Sequence, residues 1–205
     1  MRVLPSGSTA LLVELDTREE VLALYAALAD EVPDGVVDMV PAARTLLLVT
    51  DPSQAPRSAV EAAVRRATPR RDGRDAGELV EIPVAYDGED LADVAALLSV
   101  EPAEVTRRHA DEEWTVAFGG FAPGFGYLTS ASGGWDVPRR SSPRTRVPAG
   151  SVGLAGEFSG VSPRESPGGW QLIGHTDLAM FDLSREPAAL LRPGVRVRFV
   201  DGTPA

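Results

Sequence analysis

The sequence lacks cysteine and lysine altogether, and it contains only two histidines. Without cysteine the chain can form no disulfide, no thiolate nucleophile and no cysteine metal site. Because all 20 basic residues are arginine, there is no Schiff-base lysine and no phosphate-binding P-loop lysine. Any nucleotide must therefore be bound by arginines and backbone amides, or by another chain.

Long apolar runs and an excess of positive charge are also missing. No apolar run approaches the length of about 18 residues that spans a bilayer, and Pro5, Gly7 and Glu14 interrupt any N-terminal secretory signal. The formal net charge of −10 disfavours non-specific binding to nucleic acids and to anionic membranes. Neither histidine belongs to a metal-binding spacing such as H-E-x-x-H. We expect a cytoplasmic protein without a metal site and without nucleic acid or membrane as partner.

What the chain does have is a segment rich in glycine, residues 119–176, which holds 13 of the 20 glycines. Short apolar runs alternate there with glycine and proline, a pattern typical of tight β-hairpins whose turns expose backbone amides. Pro123-Gly124 and Pro167-Gly168 each fit a type II turn with glycine at the positive-φ position. Such turns are either ordinary connections or amide donors for a bound anion.

Four arginines fall within eight residues of this segment: Arg139, Arg140, Arg144 and Arg146. Their forked donors suit a carboxylate or a phosphate. The alternative is a solvated basic loop with surface ion pairs, many of which contribute nothing measurable. The further residues assigned to anion binding are Pro123, Gly124, Phe125, Tyr127, Gly150, Ser151, Gly168, Gly169, Trp170 and Gln171.

The aromatic residues of that set, Phe125, Tyr127 and Trp170, are either barrel core or the wall of a pocket for a flat ring. Ser151 lies outside any G-x-S-x-G context, so we do not expect a nucleophile there.

Two residues are candidates for acid–base chemistry. His175 lies near Asp177, which could raise its pKa toward a useful value, but a surface or structural histidine is the plainer interpretation. Glu165 is either a base or the partner of an arginine. His109, in an acid-flanked helical stretch, is more plausibly structural.

A polar connector rich in Pro and Gly, residues 67–77, divides the chain into two domains, residues 1–76 and 77–205. Together they predict an α+β protein. In the first, Thr17 is predicted to cap a helix with Glu20 in a capping box. The order strand, helix, paired strands, helix there predicts a small ferredoxin-like domain. In the second, brief strands with Gly/Pro turns predict a small closed β-barrel.

Four motifs carry a family resemblance: G-F-A-P-G-F-G-Y-L (120–128), P-R-R-S-S-P-R (138–144), V-P-A-G-S-V-G (147–153) and S-P-G-G-W-Q-L-I-G (166–174). They resemble the family of the 5-oxoprolinase B subunit, which also contains allophanate hydrolase subunit 1 and a sporulation-kinase inhibitor. The resemblance implies a cyclophilin-like β-barrel after a small α/β domain. It also implies homologous C and A subunits as partners, with which the lactam of 5-oxoproline is opened to L-glutamate at the expense of ATP and Mg²⁺.

The chain departs from the family pattern at three positions: Gly126 and Asp177 replace common prolines, and His175 replaces a common arginine. We expect the isolated chain to have little activity. ATP with Mg²⁺ is expected at the level of the complex, and the sequence leaves open which chain binds it. Two other functions stay open. One is a carboxyltransferase-like component acting on a biotin carrier, and the other is a regulatory module that inhibits a sensor histidine kinase.

Overall fold

The computed structural model describes residues 1–69 and 78–202, which divide into two compact units. Each unit has a hydrophobic core of its own. The predicted domain boundary between residues 76 and 77 lies outside the described residues.

The first unit is an antiparallel sheet, of order β1-β2-β4-β3, with two helices among its described residues. Its elements are β1 (Arg2–Ser6), β2 (Ala10–Glu14), α1 (Arg18–Asp30), β3 (Val36–Pro41), β4 (Thr45–Thr50) and α2 (Arg57–Arg66). Alternate residues of the central strands, such as Val13 and Leu46, are fully buried. They meet the apolar faces of the helices, for example Leu24 of α1 and Val60 of α2.

The start of α1 follows the prediction. Thr17 is the N-cap, and its hydroxyl accepts a hydrogen bond from the Glu20 amide over 3.2 Å. The Glu20 carboxylate returns to the amide of Asp16 over 3.0 Å, one residue earlier than in a standard capping box. Two amides at the helix start are thereby satisfied.

The ferredoxin-like assignment of this unit is not confirmed. Its element order is β-β-α-β-β-α, whereas the ferredoxin-like motif runs β-α-β-β-α-β. The sheet edge beside β2 is occupied by β1, which precedes it in the chain and pairs with it from Arg2↔Glu14 to Ser6↔Ala10. In the ferredoxin-like motif this edge position is filled by the last strand, whereas here the first strand, β1, fills it after a tight hairpin turn.

The second unit is built mainly of strands. Its elements are β5 (Leu79–Val84), α3 (Leu91–Leu98), α4 (Pro102–Asp111), β6 (Trp114–Gly119), β7 (Gly126–Ser130), β8 (Arg144–Val147), β9 (Ser151–Ala155), β10 (Phe158–Val161), β11 (Ser166–Gly168), β12 (Gln171–His175) and β13 (Arg196–Asp201).

Seven of these strands form one sheet, of order β12-β9-β10-β7-β6-β13-β5. Only β5 and β13 run parallel among its neighbouring pairs. Ala85, just after β5, forms an isolated bridge with His175 at the end of β12, with both N···O distances at 2.9 Å. The bridge joins the two ends of the sheet, so the predicted barrel is present as a nearly closed β-barrel in a mixed α/β protein.

The two glycine turns predicted at Pro123 and Pro167 differ. Phe125 donates its amide to the Ala122 carbonyl over 3.0 Å and Gly124 has φ +83°, as the type II turn requires. Pro167-Gly168 instead lies in β11, which pairs with β8 in a two-stranded ribbon, so the turn predicted there is wrong. No helix within the described ranges has the length and apolarity needed to cross a membrane.

Candidate functional site

A cavity of about 200 Å³ lies against the outer face of the barrel. In β9, Val152 and Leu154 belong to the barrel core, whereas the alternating Ser151 and Gly153 line the cavity. Because successive strand residues point to opposite faces, the cavity is separate from the core. Its lining comprises Phe121, Phe125, Tyr127, Arg139, Val147, Ser151, Gly153, Gly160, Ser162, Ser166, Pro167, Gly168, Gly169, Trp170 and Leu172.

Aromatic rings form one wall of this cavity. The ring of Phe125 meets those of Tyr127 and Trp170 edge to face, with centroids 5.0 and 5.4 Å apart. Gly160 of β10 makes this packing possible, because a Cβ there would lie 3.0 Å from Phe125 Cζ and 3.2 Å from Trp170 Cζ3. The three predicted aromatic residues therefore line a pocket.

The four predicted arginines have different surroundings. Arg140 and Arg144 bind the carboxylate of Asp90, and Arg146 binds Glu165 at the surface, Nε to Oε2, over 2.6 Å. Arg139 lines the cavity and has no ion-pair partner in the described parts of the chain. Of the four, Arg139 is thus the guanidinium left for a ligand.

Three hydroxyls complete the polar side of the cavity. Ser151, Ser162 and Ser166 line it, and their hydroxyls have no hydrogen-bond partner within residues 1–69 and 78–202. No carboxylate belongs to the lining. The described cavity therefore offers one positive charge and three uncommitted hydroxyls beside an aromatic wall.

Asp90 is the main residue of this region that sequence reasoning missed. Its side chain is 2% exposed, and its Oδ2 accepts the Leu172 amide over 2.7 Å. Burial alone raises the pKa of Asp90, but the hydrogen bonds from Arg144 and from the Leu172 amide outweigh it, and the pKa is lowered. Asp90 is therefore an ionised, buried partner of two arginines.

The two predicted catalytic residues lie outside the cavity lining. His175 is exposed, and its Nδ1 is 2.8 Å from Asp87 Oδ1. Glu165 is paired with Arg146 at the surface. Their catalytic roles stay predictions, and the geometry gives them no contact with the pocket.

The other predicted positions fall partly inside and partly outside the cavity lining. Gly124 and Gly150 have positive φ in turns, and with Pro123 they lie outside the lining. Gln171 is buried and donates its amide to the Pro138 carbonyl over 3.1 Å. Gly168 and Gly169 do line the pocket.

Phe121 lies at the cavity mouth, whereas the plainest interpretation from the sequence placed it in the barrel core. It is 62% exposed and has φ +64°, which is unusual for a bulky residue and is often found at functional sites. Its position in the glycine-rich motif, next to Gly120, was the available signal.

His109, considered structural from the sequence, lies in the barrel core. It is fully buried between the Tyr86 hydroxyl at 2.9 Å and the Ser159 hydroxyl at 2.8 Å. Burial lowers its pKa to about 3. Within the described residues, no group of three or more acidic or histidine side chains is arranged to hold a metal ion.

Comparison with known proteins bears on this site. The family model for the carboxyltransferase domain, subdomain C and D, matches residues 1–191. The B subunit of 5-oxoprolinase from Escherichia coli O157:H7 is 39% identical over 204 residues, covering 95% of this chain and 93% of that protein. The chain belongs to the 5-oxoprolinase B-subunit family. The resemblance carried by the four glycine-rich motifs is thereby confirmed.

Solved structures of related proteins share the fold of this member of the B-subunit family. TTHA0988 is 35% identical with a TM-score of 0.80, and the match covers 97% of this chain but 40% of that chain. Kluyveromyces lactis urea carboxylase is 17% identical with a TM-score of 0.71, covering 98% of this chain and 23% of that chain. The chain therefore spans less than half the length of either protein, and the second likeness shows a carboxyltransferase-like fold and nothing further.

Proposed function

We propose that the chain is the B subunit of an ATP-dependent 5-oxoprolinase and that its cavity binds 5-oxo-L-proline. The observation that carries this proposal is Arg139, a guanidinium without an ion-pair partner among the described residues, next to an aromatic wall. The name of the Escherichia coli relative supports the choice of substrate.

The chemistry of 5-oxoproline suits this lining. The carboxylate of the substrate would accept two parallel hydrogen bonds from Arg139, and its flat lactam ring would pack against Trp170 and Phe125. The hydroxyls of Ser151 and Ser162 would bind the lactam amide. A volume of about 200 Å³ lies below the range of about 300–1,000 Å³ typical of drug-sized ligands, which favours a small acid.

ATP does not fit the same cavity. A nucleoside triphosphate needs a larger site, and its Mg²⁺ is usually held by one or two carboxylates, whereas no carboxylate lines this pocket. We therefore assign ATP and Mg²⁺ to the partner C and A subunits in a cytoplasmic complex, where ATP supplies the driving force for ring opening. The role proposed for this chain is to orient the lactam acid and to shield it from bulk water.

The test is 5-oxoproline-dependent ADP release by the complex of this chain with its C and A subunits. Loss of a charge-assisted hydrogen bond costs about 1.5–3 kcal/mol, so Arg139→Ala should raise KM for 5-oxoproline about 10- to 150-fold. Arg146→Ala is the matched control, because it removes an exposed arginine outside the lining and should leave KM unchanged. A complex without this chain that still released ADP, or equal KM values for Arg139→Ala and wild type, would refute the proposal.

A carboxyltransferase-like component is the second candidate, favoured by the family model and by the urea carboxylase fold. Its ligand would be the ureido ring of biotin, which is also flat but carries no carboxylate on the ring. Binding of biotinamide, in which a neutral amide replaces the carboxylate of free biotin, would favour this second function if it were insensitive to Arg139→Ala and 5-oxoproline did not bind.

A further inference from the structure

Asp90 stands immediately before α3 but does not cap it. An aspartate at this position usually accepts hydrogen bonds from the first amides of its helix, yet the Asp90 carboxylate makes none. Its oxygens are used elsewhere. Oδ1 accepts from the guanidinium groups of Arg140 and Arg144, the latter over 2.8 Å, and Oδ2 accepts from the Leu172 amide over 2.7 Å.

The three donors come from three separate segments around the cavity. Arg140 directly follows Arg139 in the loop, Arg144 opens strand β8 of the ribbon, and Leu172 is a lining residue of β12. The backbone reinforces this arrangement, because the Asp90 amide donates to the Leu172 carbonyl over 2.9 Å. One buried carboxylate therefore ties together segments that are distant in sequence.

Arg139 lies between two anchored neighbours. The Pro138 carbonyl on one side accepts from the Gln171 amide over 3.1 Å. On the other side the Arg140 amide donates to the Gly169 carbonyl over 2.8 Å, and the Arg140 guanidinium is bound to Asp90. With both neighbours fixed, the backbone of Arg139 is fixed as well.

We propose that Asp90 is a positioning residue that, through Arg140 and Arg144, fixes the backbone from which Arg139 reaches the carboxylate of a small ligand. Asp90 is absent from the cavity lining and does not touch the ligand. The identity of the ligand as 5-oxoproline rests on the proposed function. The positioning of Arg139 by Asp90 would hold for any small carboxylate.

The experiment titrates the whole chain and follows the fluorescence of Trp170, the tryptophan that lines the cavity; Trp114 and Trp135 lie in the barrel core. Three probes are compared: 5-oxo-L-proline, 2-pyrrolidinone, which has the same lactam ring without the carboxylate, and acetate, which is a carboxylate alone. Asp90→Asn keeps the size of the side chain but removes its charge.

We expect Asp90→Asn to weaken binding of 5-oxoproline and acetate roughly tenfold and to leave 2-pyrrolidinone binding unchanged. A merely structural role would weaken the lactam without a carboxylate just as much, and that result would overturn the inference. Adding Asp90→Asn to Arg139→Ala should cause no further loss, because the two residues act through one interaction. Additive losses would also overturn it.

Two further variants guard against misfolding. Val105→Ala opens a cavity in the barrel core away from the pocket and should lower stability without selective loss of carboxylate binding. If Asp90→Asn does not fold, Asp90→Glu keeps the charge but displaces it, and it should show the same selectivity.

The wild-type titrations separate this inference from the proposed function. Wild type that binds acetate but not 5-oxoproline would refute the proposed function, and the role of Asp90 would still be tested with acetate. Wild type that binds no carboxylate would refute both.

Discussion

The two histidines of the chain lie in opposite surroundings. His109 is fully buried next to Trp114 and Phe199 in the barrel core. His175 is exposed and its ring contacts Asp87. Because His109 has hydrogen-bond partners on both ring nitrogens and no carboxylate among them, the neutral ring is the form that the core accommodates.

We predict that His109 makes the protein less stable as pH falls from about 6.5 to about 3. An unfolded histidine takes up its proton near pH about 6.5, whereas folded His109 stays neutral down to about pH 3. The unfolded state therefore binds more protons in this window, and the free energy of unfolding falls by up to about 1.4 kcal/mol per pH unit. Above pH 7 this contribution to stability is complete.

Urea denaturation between pH 7.5 and 4.5 measures this effect. His109→Gln, whose amide can still donate and accept, should flatten the decline relative to wild type. Ser159→Ala removes one hydrogen-bond partner but leaves the ring buried, so it should retain the wild-type slope. An equally steep decline in His109→Gln would mean that other groups cause it.

Among the arginines, the sequence predicted a cluster but not the roles of its members. Arg140 and Arg144 are bound to Asp90, which lies 50 and 54 positions earlier in the chain. Local pattern carries no information about a partner so remote. Which guanidinium stays unpaired depends on this tertiary contact, and in the described parts of the chain Arg139 is the member of the cluster without an ion-pair partner.

At the scale of elements, the turn before β9 depends on close approach between two backbones. Gly150 has φ +79°, and a Cβ built there would lie 2.1 Å from the Thr176 carbonyl oxygen. The Thr176 amide donates to the Gly150 carbonyl over 2.9 Å. The turn thereby joins the chain segment that follows β12 to the start of β9.

We predict that Gly150→Ala destabilises the protein by at least about 3 kcal/mol, because it adds a clash with the backbone to the cost of a positive φ. Gly156→Ala is the matched control, since Gly156 also has positive φ (+57°) but nothing within 4 Å of a built Cβ. That change should cost only about 1–2 kcal/mol. Equal losses for the two variants in urea denaturation would show that the contact with Thr176 does not matter.

Elements with strong local signals were predicted well, and those made by tertiary pairing were not. The N-cap of α1 at Thr17 follows from sequence spacing, as does the turn at Gly124. The ribbon of β8 and β11 has strands of only 4 and 3 residues, too short for a period of two to show. Arg144, the first residue of β8, contacts Asp90, which lies 54 positions earlier in the chain. Neither the ribbon nor the pocket wall it provides therefore follows from periodicity.

At the scale of the whole molecule, composition and cavity size agree about the ligand. The chain has no lysine, so it lacks the P-loop lysine that many nucleotide sites place on the phosphates. The described cavity of about 200 Å³ has one arginine and no carboxylate in its lining. A singly charged small acid meets these conditions, whereas a metal-bound triphosphate does not.

We therefore predict that the chain by itself binds 5-oxoproline but shows no saturable binding of ATP with Mg²⁺ at millimolar concentrations, as measured by isothermal titration calorimetry. The same titration with the complex of this chain and the proposed C and A subunits should reveal the ATP site, which makes the complex the positive control. Tight ATP binding by the chain alone, especially if 5-oxoproline competed with it, would place the nucleotide in the Arg139 cavity. In that case this chain would be assigned the nucleotide and the partner subunits the lactam acid, because a pocket filled by a nucleotide leaves no room for 5-oxoproline.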